Sequence, residues 1–230
     1  MIKSFLLPQG IPYREVLEMQ QEAFVARVNA RREGLPIPED IVLIAEHNPV
    51  YTLGKHGDIS NLLMSAEALQ QKNIDFVKIN RGGDITYHGP GQLTVYPIID
   101  LLRHKLGVKD YVNLLEHTVI DTLAHYGIPA TRIPSKTGVW VYPSSLPKTS
   151  SDPTDSQPQK ICAIGIRCSR HITMHGFALN VSPDLSYFSG IVPCGLHAPV
   201  TSISALLGRS VPLPEVASLL ISHLSSLLRQ

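Results

Sequence analysis

One cysteine of this sequence stands in a turn-forming context that suits a nucleophile. Cys194 lies between Pro193 and Gly195, and such a turn leaves a neighbouring backbone amide free to face the group that a sulfur attacks. The alternative is that Cys194 is a small apolar side chain near a loop, because free cysteines are among the most buried residue types. Cys194 is therefore a candidate nucleophile, whereas Cys162, within an apolar strand pattern, lacks that context.

A nucleophilic thiol reacts as its thiolate, so it needs a base or a positive charge nearby. Lys160 is a candidate for this role, because it begins an apolar strand directly after a flexible stretch. The alternative is a solvated lysine at the end of a strand. If the ammonium were drawn into an apolar cleft instead, burial would favour its neutral form and make it a usable base.

The segment from Arg81 to Gln92, RGGDITYHGPGQ, is rich in glycine around a short β-branched run. Glycine permits positive φ and lets a ligand approach the backbone closely, so we expect a loop or strained hairpin shaped for close approach. The segment has neither the Lys-Ser/Thr phosphate clamp nor the spacing of a dinucleotide fingerprint. Within it, His88 could orient a thiol or donate to a carbonyl, or it could serve a structural hydrogen bond.

A metal site is not predicted. Cys168, His171 and His175 are ligands by type, but a fourth ligand is missing and the three straddle a predicted turn. Three cysteines cannot form a disulfide framework, so at least one thiol is free. We expect no metal and no cofactor.

The composition indicates a folded globular protein. Of 230 residues, 43% are hydrophobic and 17% are charged, with a net charge of +1. This charge provides no general attraction to nucleic acid or to anionic lipid. No apolar run is long enough to cross a membrane, and the first residues resemble neither a secretory nor a transit peptide. We therefore expect a cytoplasmic enzyme, or a mature form already processed, that binds neither nucleic acid nor membrane.

Strands and helices are predicted to mix without strict alternation, which favours an α/β fold of mixed α+β type in a single domain over residues 1–230. Helices are predicted from Tyr13 to a stop at Gly34, after Ser65, from an N-cap at Asp110 to Tyr126, after Thr201-Ser202, and from Pro214 with a stripe of Val216, Leu220, Leu224 and Leu227. Strands are predicted over 41–45, 50–53, 74–80, 93–101, 139–142, 161–167 and 173–181. Pro97 indicates an edge or a bulge in its strand. Pro143 to Gln159, rich in proline and serine, is predicted to be a flexible loop within the domain.

Four stretches together resemble the lipoyl(octanoyl) transferase family. They are EHNPVYTLG from Glu46, the Arg81 to Gln92 segment, KICAIG from Lys160, and HGFALNV from His175 running on to Pro193-Cys194-Gly195. They occur in the family's order and cover most of the chain from about Ile41 to Ser204. The Arg-Gly-Gly and Tyr-His-Gly-Pro-Gly-Gln string is highly specific, and the Pro-Cys-Gly turn separates this family from its relatives.

The resemblance implies the biotin/lipoate protein ligase-like (class II synthetase-like) fold, a mixed sheet with packed helices. It implies transfer of an octanoyl group from octanoyl-acyl carrier protein to a lysine of lipoyl domains, those of 2-oxoacid dehydrogenase E2 subunits and of the glycine cleavage H protein. Cys194 would carry the acyl thioester, and Lys160 would lower the pKa of the Cys194 thiol and shuttle protons. The acyl pocket would be lined by Arg81, Gly82, Gly83, Asp84, Ile85, Thr86, Tyr87, His88, Ala163, Ile164, Gly165, Gly176, Phe177 and Ala178.

Two alternatives stay open on the sequence. An ATP-dependent lipoate or biotin protein ligase of the same fold activates its acid as an adenylate and needs no nucleophilic cysteine, so Cys194 and Lys160 argue against it. A non-catalytic acyl-binding module would be expected to lack one of these two residues, and both are present. The sequence departs from the family pattern at Pro143 to Gln159, which lengthens the connection before Lys160.

Overall fold

A seven-stranded mixed sheet forms the centre of the molecule in a computed structural model that describes residues 2–145, 157–192 and 199–229. Its spatial order is β1 (Lys3–Leu6), β2 (Ile41–Ala45), β6 (Gln92–Ile98), β10 (Ile172–Asn180), β9 (Gln159–Ser169), β8 (Lys136–Val141) and β7 (Ala130–Ile133). Strands β1 and β2 are parallel, and every other neighbouring pair in this sheet is antiparallel. The mixed α/β fold class is confirmed.

Helices cover both faces of this sheet because its strands alternate between two apolar clusters. On β2, Val42 and Ile44 pack towards α3 (Val108–His125) and α5 (Leu213–Leu227), while Leu43 and Ala45 pack towards α1 (Tyr13–Glu33). The short helix α4 (Ile203–Leu207) joins the first cluster through Ile203. The sheet therefore lies between two helical layers.

A second, three-stranded sheet supports the glycine-rich segment. It consists of β4 (Asp75–Lys78), β3 (Val50–Leu53) and β5 (Ile85–His88) in that order, with the short helix α2 (Ala66–Gln71) beside it. Strand β5 runs antiparallel to β3, and β4 runs parallel to it. The glycine-rich segment is thus half loop and half strand, and its strand part is fixed by β3.

The prediction of an edge or a bulge at Pro97 is wrong, because β6 lies in the interior of the large sheet, between β2 and β10, and its register with each neighbour is the same before and after the proline. The proline is accommodated by an interruption of one ladder: β6 pairs with β10 over residues 92–95, and the two strands meet again only at the Asp100–Ile172 bridge. In the gap, His175 has a φ of 61° and donates its backbone N–H to Gln20 Oε1 of α1 at 3.1 Å. The Gln20 side chain of α1 thus accepts the hydrogen bond for which the His175 N–H has no partner on β6 in this gap.

Two other predictions need correction, and two strands were missed. Asp110 lies in the first turn of α3, where the helix dipole favours a carboxylate, and the N-cap is Gly107. Leu227 is only partly buried, and Leu228 takes its place in the core. Strands β1 and β7 were not predicted; both are short strands at the edges of the sheet. The other predicted helices and strands are confirmed to within a few residues.

The long connection before Lys160 is described only at its ends. Pro143–Ser145 forms a 3-10 turn, and Gln159 already belongs to β9. The rest of the predicted loop, residues 146–156, lies outside the described residues, as does Cys194.

Candidate active site

A cavity of about 460 Å³ lies where the glycine-rich segment crosses the β9–β10 hairpin, within the range usual for small-ligand sites. Of the residues predicted to line an acyl pocket, thirteen lie in its wall: Arg81, Gly82, Gly83, Asp84, Ile85, Thr86, His88, Ala163, Ile164, Gly165, Gly176, Phe177 and Ala178. Lys160 lines the same cavity. The structure therefore brings together segments that are about eighty residues apart in the sequence.

Tyr87 is the predicted lining residue that the structure places elsewhere. Successive side chains of a strand point to opposite faces, so Tyr87 faces away from the cavity while Thr86 and His88 line it. Its ring stacks on Tyr187 with 4.8 Å between ring centroids, and it belongs to the core of the small sheet. Tyr87 is structural.

Close backbone contact explains two glycines at this crossing. Gly82 donates its backbone N–H to the carbonyl of Ile166 at 2.9 Å, which lays the glycine-rich segment on β9. A Cβ on Gly165 would lie 2.7 Å from the Gly82 carbonyl oxygen, and one on Gly54 would lie 2.3 Å from that of Gly83. A side chain at Gly165 would push the segment away from β9, and one at Gly54 would push it away from the end of β3.

Lys160 lies between two neighbouring chain segments rather than at a free strand end. It pairs with Trp140 of β8 on one side and forms a bridge with Val200 on the other. The pairing with β8 shifts between Val139 and Trp140, so that β9 carries one extra residue there, and such a bulge redirects the side chains beside it. The Lys160 Nζ lies 4.7 Å from the centre of the Trp140 ring, whose side chain is fully buried.

A buried hydrogen-bonded network links the glycine-rich segment to the neighbourhood of Lys160. Arg81 donates through one nitrogen to the Thr52 carbonyl at 2.8 Å and to Thr52 Oγ1 at 3.0 Å. His88 bonds Thr52 Oγ1 through Nε2 and Gln92 Oε1 through Nδ1, at 3.2 and 2.8 Å. Gln92 continues to Asn180, which donates to the carbonyl of Thr201. His88 thus uses both ring nitrogens in structural bonds, which favours the structural alternative for this residue.

Burial keeps the histidines of this region neutral. It lowers the pKa of His88 to about 3 and that of His47 to about 4, since desolvation disfavours the charged form. His47 lies beside the network, with its Nε2 2.7 Å from the Tyr96 hydroxyl. Burial also raises the pKa of the Cys162 thiol far above its usual value, so this cavity-lining cysteine is held as an unreactive thiol.

Sequence reasoning missed several residues of the cavity wall: Tyr13, Gln92, Tyr96, Ser135, Lys136, Thr137, Asn180, Phe188 and Val200. Gln92 and Asn180 stand in the stretches that carried the family resemblance, but nothing in those stretches signals that the two side chains meet. Tyr13 appeared only as an apolar helix position, whereas its ring stacks on His88 with 5.6 Å between centroids. Amphipathic periodicity cannot separate a core residue from a cavity wall.

The described residues on each side of residues 193–198 are held at the cavity's edge. Val192 donates its N–H to the carbonyl of Asn61 at 2.8 Å, and Lys160 donates its own to the carbonyl of Pro199 at 2.8 Å. Asn61 in turn donates to the Asp84 carboxylate at 2.6 Å. In the described part of the chain, no group of histidine, cysteine and carboxylate side chains is arranged to hold a metal ion. None of the described helices is both long and apolar enough to cross a membrane.

A family model described as the lipoyl protein ligase A/B catalytic domain matches residues 12–225. An octanoyltransferase of Christiangramia forsetii is 46% identical over 94% of this chain and 91% of its own. The chain belongs to the octanoyltransferase family. A second member, from Solibacter usitatus, is 47% identical over 93% of this chain and 87% of its own. The resemblance inferred from the sequence is confirmed.

Solved structures confirm the expected fold of the family. A bipartite lipoate protein ligase from Thermoplasma acidophilum has a TM-score of 0.68 at 15% identity, over 100% of this chain and 85% of its own. A biotin protein ligase from Aquifex aeolicus has a TM-score of 0.54 at 11% identity, over 99% and 70%. At these identities the likeness concerns the fold alone. It is the biotin/lipoate protein ligase-like fold predicted from the sequence.

Proposed function

We propose that this protein is an acyltransferase that moves an octanoyl group from octanoyl-acyl carrier protein to a lysine of lipoyl domains, as a step of lipoate biosynthesis. The acceptors are the lipoyl domains of 2-oxoacid dehydrogenase E2 subunits and the glycine cleavage H protein, and the reaction takes place in the cytoplasm. The observation that carries the proposal is the cavity between the glycine-rich segment and β9–β10, with Lys160 in its wall. Octanoyltransferase relatives above 45% identity favour it over an ATP-dependent ligase.

An acyl chain fits the chemistry of this cavity. Ile164 and Phe177 supply apolar surface, and the glycines let a chain lie against the backbone. At about 0.8 kcal/mol for each buried methylene, burying most of an eight-carbon chain would contribute roughly 5 kcal/mol. This contribution would favour octanoyl over shorter chains.

In the first step, the Cys194 thiolate attacks the thioester carbonyl of the donor. The new carbon–sulfur bond forms as the bond to the carrier's sulfur breaks, and Lys160 gives a proton to the departing thiolate. Backbone amides would stabilise the oxyanion formed on the way. Donor and intermediate are both thioesters, so this transfer is nearly balanced in free energy.

In the second step, the ε-amine of the acceptor lysine attacks the Cys194 thioester. An amide bond forms, the carbon–sulfur bond breaks, and Lys160 takes the proton that the amine loses. An amide is much more stable than a thioester, so this step runs downhill without ATP. The enzyme needs no metal or cofactor for either step.

Intact mass spectrometry tests the proposal. Incubation with octanoyl-acyl carrier protein should leave one octanoyl group on the wild-type chain and none on Cys194→Ser. Cys162→Ala is the matched control, because this cysteine also lines the cavity but its thiol is held unreactive. A label that survives Cys194→Ser, or labelling of the acceptor that requires ATP, would contradict the proposal.

A further inference from the structure

The hydrogen bonds of the buried network in this site are donated in one direction. The backbone carbonyls at its edges establish that direction, because they can only accept. Gln92 Nε2 lies 3.0 Å from the Tyr87 carbonyl oxygen, which can only accept, so the amide end of Gln92 points there. Its Oε1 therefore faces His88 Nδ1 at 2.8 Å, and that nitrogen must carry the proton. Because His88 is neutral, its Nε2 then accepts from the hydroxyl of Thr52.

The same reasoning orients the other end of the network. Asn180 Nδ2 lies 3.0 Å from the carbonyl oxygen of Thr201, so the Asn180 Oδ1 faces Gln92 Nε2 at 2.9 Å. The Thr201 N–H donates to the carbonyl of Lys160 at 3.0 Å. The bonds from Arg81 through Thr52, His88, Gln92 and Asn180 to the Thr201 carbonyl thus run in one direction, and bonds aligned in this way polarise and strengthen one another. The N–H of Thr201, which belongs to the preceding peptide group, connects this series to the Lys160 backbone.

The last bonds of this network hold the backbone of Lys160. The segment Pro199–Thr201 accepts the N–H of Lys160 and donates to its carbonyl, and Asn180 donates to the Thr201 carbonyl of the same segment. Asn180 and Gln92 are nearly fully buried, with 4% and 2% of their surfaces exposed. Loss of one partner there would leave a buried polar group without a hydrogen bond.

We propose that Asn180 and Gln92 are positioning residues for Lys160. They couple the position of the Lys160 backbone to that of the Arg81 segment, which lines the acyl cavity. The inference rests on the octanoyl transfer proposed above. Whether or not that reaction takes place, the placement of Lys160, and with it the reactivity of its amine, depends on Asn180.

Asn180→Asp is the decisive variant, because it keeps the shape and the Oδ1 acceptor but replaces the donor that faces the Thr201 carbonyl. The single-turnover rate of Cys194 acylation should fall about tenfold, the loss expected for one buried hydrogen bond. In a Lys160→Ala background, the same change should alter the rate by less than about twofold, since residues acting through one group are not additive. Thr94→Val is the matched control: Thr94 of β6 donates a buried bond to the Ala45 carbonyl of β2, outside the network.

A second measurement reads Lys160 directly and does not require octanoyl transfer. Competitive labelling with acetic anhydride, followed by peptide mass spectrometry, compares Lys160 with the exposed Lys109 in the same molecule, which lies outside the cavity wall. Asn180→Asp should shift the Lys160 labelling rate towards that of Lys109, and Thr94→Val should leave the ratio unchanged. If Asn180→Asp does not fold, Asn180→Ala, which removes the same donor without adding any polar atom, takes its place in both measurements.

The outcomes separate the two proposals. Wild-type protein that is not acylated on Cys194, but whose Lys160 labelling responds to Asn180→Asp, would overturn the octanoyl transfer and leave the positioning role standing. An unchanged labelling ratio in the substituted protein would overturn the positioning role. Additive effects of Asn180→Asp and Lys160→Ala in an active enzyme would also overturn it.

Discussion

The ammonium group of Lys160 lies 4.7 Å from the centre of the Trp140 ring, and the two residues are paired across neighbouring strands. A cation over an aromatic face is stabilised by the ring's quadrupole. The bulged pairing of β8 with β9 holds the ring and the amine in this relation. The indole is itself fixed, because its Nε1 donates to the Lys136 carbonyl at 3.0 Å.

Replacement of Trp140 should therefore lower the rate of acylation in proportion to the loss of aromatic character. An interaction of about 0.5–2 kcal/mol predicts a several-fold loss of single-turnover rate for Trp140→Leu, with Trp140→Phe between it and the wild type. Both variants remove the indole N–H and are similar in volume, so the difference between them isolates the ring. A Phe variant no faster than the Leu variant would show that the ring contributes only by packing.

Lys160→Ala should slow acylation by about 10²-fold or more without abolishing binding of the acyl chain, because it removes the proton-transfer group but little of the apolar wall. Binding is measured by calorimetry with an octanoyl amide that cannot be transferred, and acylation by rapid-quench mass spectrometry. Unchanged acylation rates at neutral pH would contradict the role assigned to Lys160.

Gly165→Ala should impair use of the acyl cavity, because the added Cβ would lie 2.7 Å from a backbone oxygen of Gly82. The glycine-rich segment would have to move away from β9, and we expect KM for the octanoyl donor to rise by about tenfold or more. The matched control is Gly34→Ala at the end of α1, where φ is 70° and no atom lies within 4 Å of the new Cβ. That change should cost about 1 kcal/mol of stability and leave KM unchanged. Equal KM values for the two variants would contradict this account of Gly165.

Stability should decrease below neutral pH because of the buried histidines. Burial lowers the folded-state pKa of His88 to about 3 and of His47 to about 4, whereas the unfolded chain takes up these protons near pH 6.5. The unfolded state then binds more protons, so the free energy of unfolding falls as pH drops from about 6.5 towards 4, by about 1.4 kcal/mol per pH unit for each histidine. Urea unfolding at several pH values measures this slope.

His47→Gln tests the assignment of that pH dependence. Glutamine can still donate to the Ile11 carbonyl and accept from the Tyr96 hydroxyl, the two bonds that His47 makes, but it cannot be protonated. The slope of stability against pH should therefore decrease by the contribution of one proton between pH 6.5 and 4. The same slope in variant and wild type would show that His47 is not among the groups responsible.

The sequence predicts the helices and most strands because apolar periodicity and capping residues are local signals. Ser65 and Ser202 cap their helices as expected. Pro97 was misplaced because a proline excludes only the bond of its own N–H, and β10 leaves that bond unmade in an interior position. Local sequence cannot show such an arrangement across two strands.

The site was predicted in part for a similar reason. The segments that line the cavity stood out by their glycines and by their resemblance to a family. The sequence did not show that Thr86 and His88 line the cavity while Tyr87 does not, because the alternation of side chains along β5 does not reveal which face of the strand meets the cavity. The contacts of Gln92 with His88 and Asn180 join residues up to 88 positions apart, and no pattern in a single sequence encodes such a pairing.

The interior position of Pro97 restricts the alignments in which β10 can pair with β6. A Cβ on Gly176 would lie 2.8 Å from the Pro97 ring and 2.1 Å from the carbonyl oxygen of Val95, so only a glycine fits against this proline and its neighbour. If β10 slid along β6 by two residues, it would bring Met174 or Ala178 to that position, and their side chains would collide with β6. The proline and the glycine together thus penalise misaligned pairings during folding, and the wall that carries Phe177 and Asn180 can form in one alignment only.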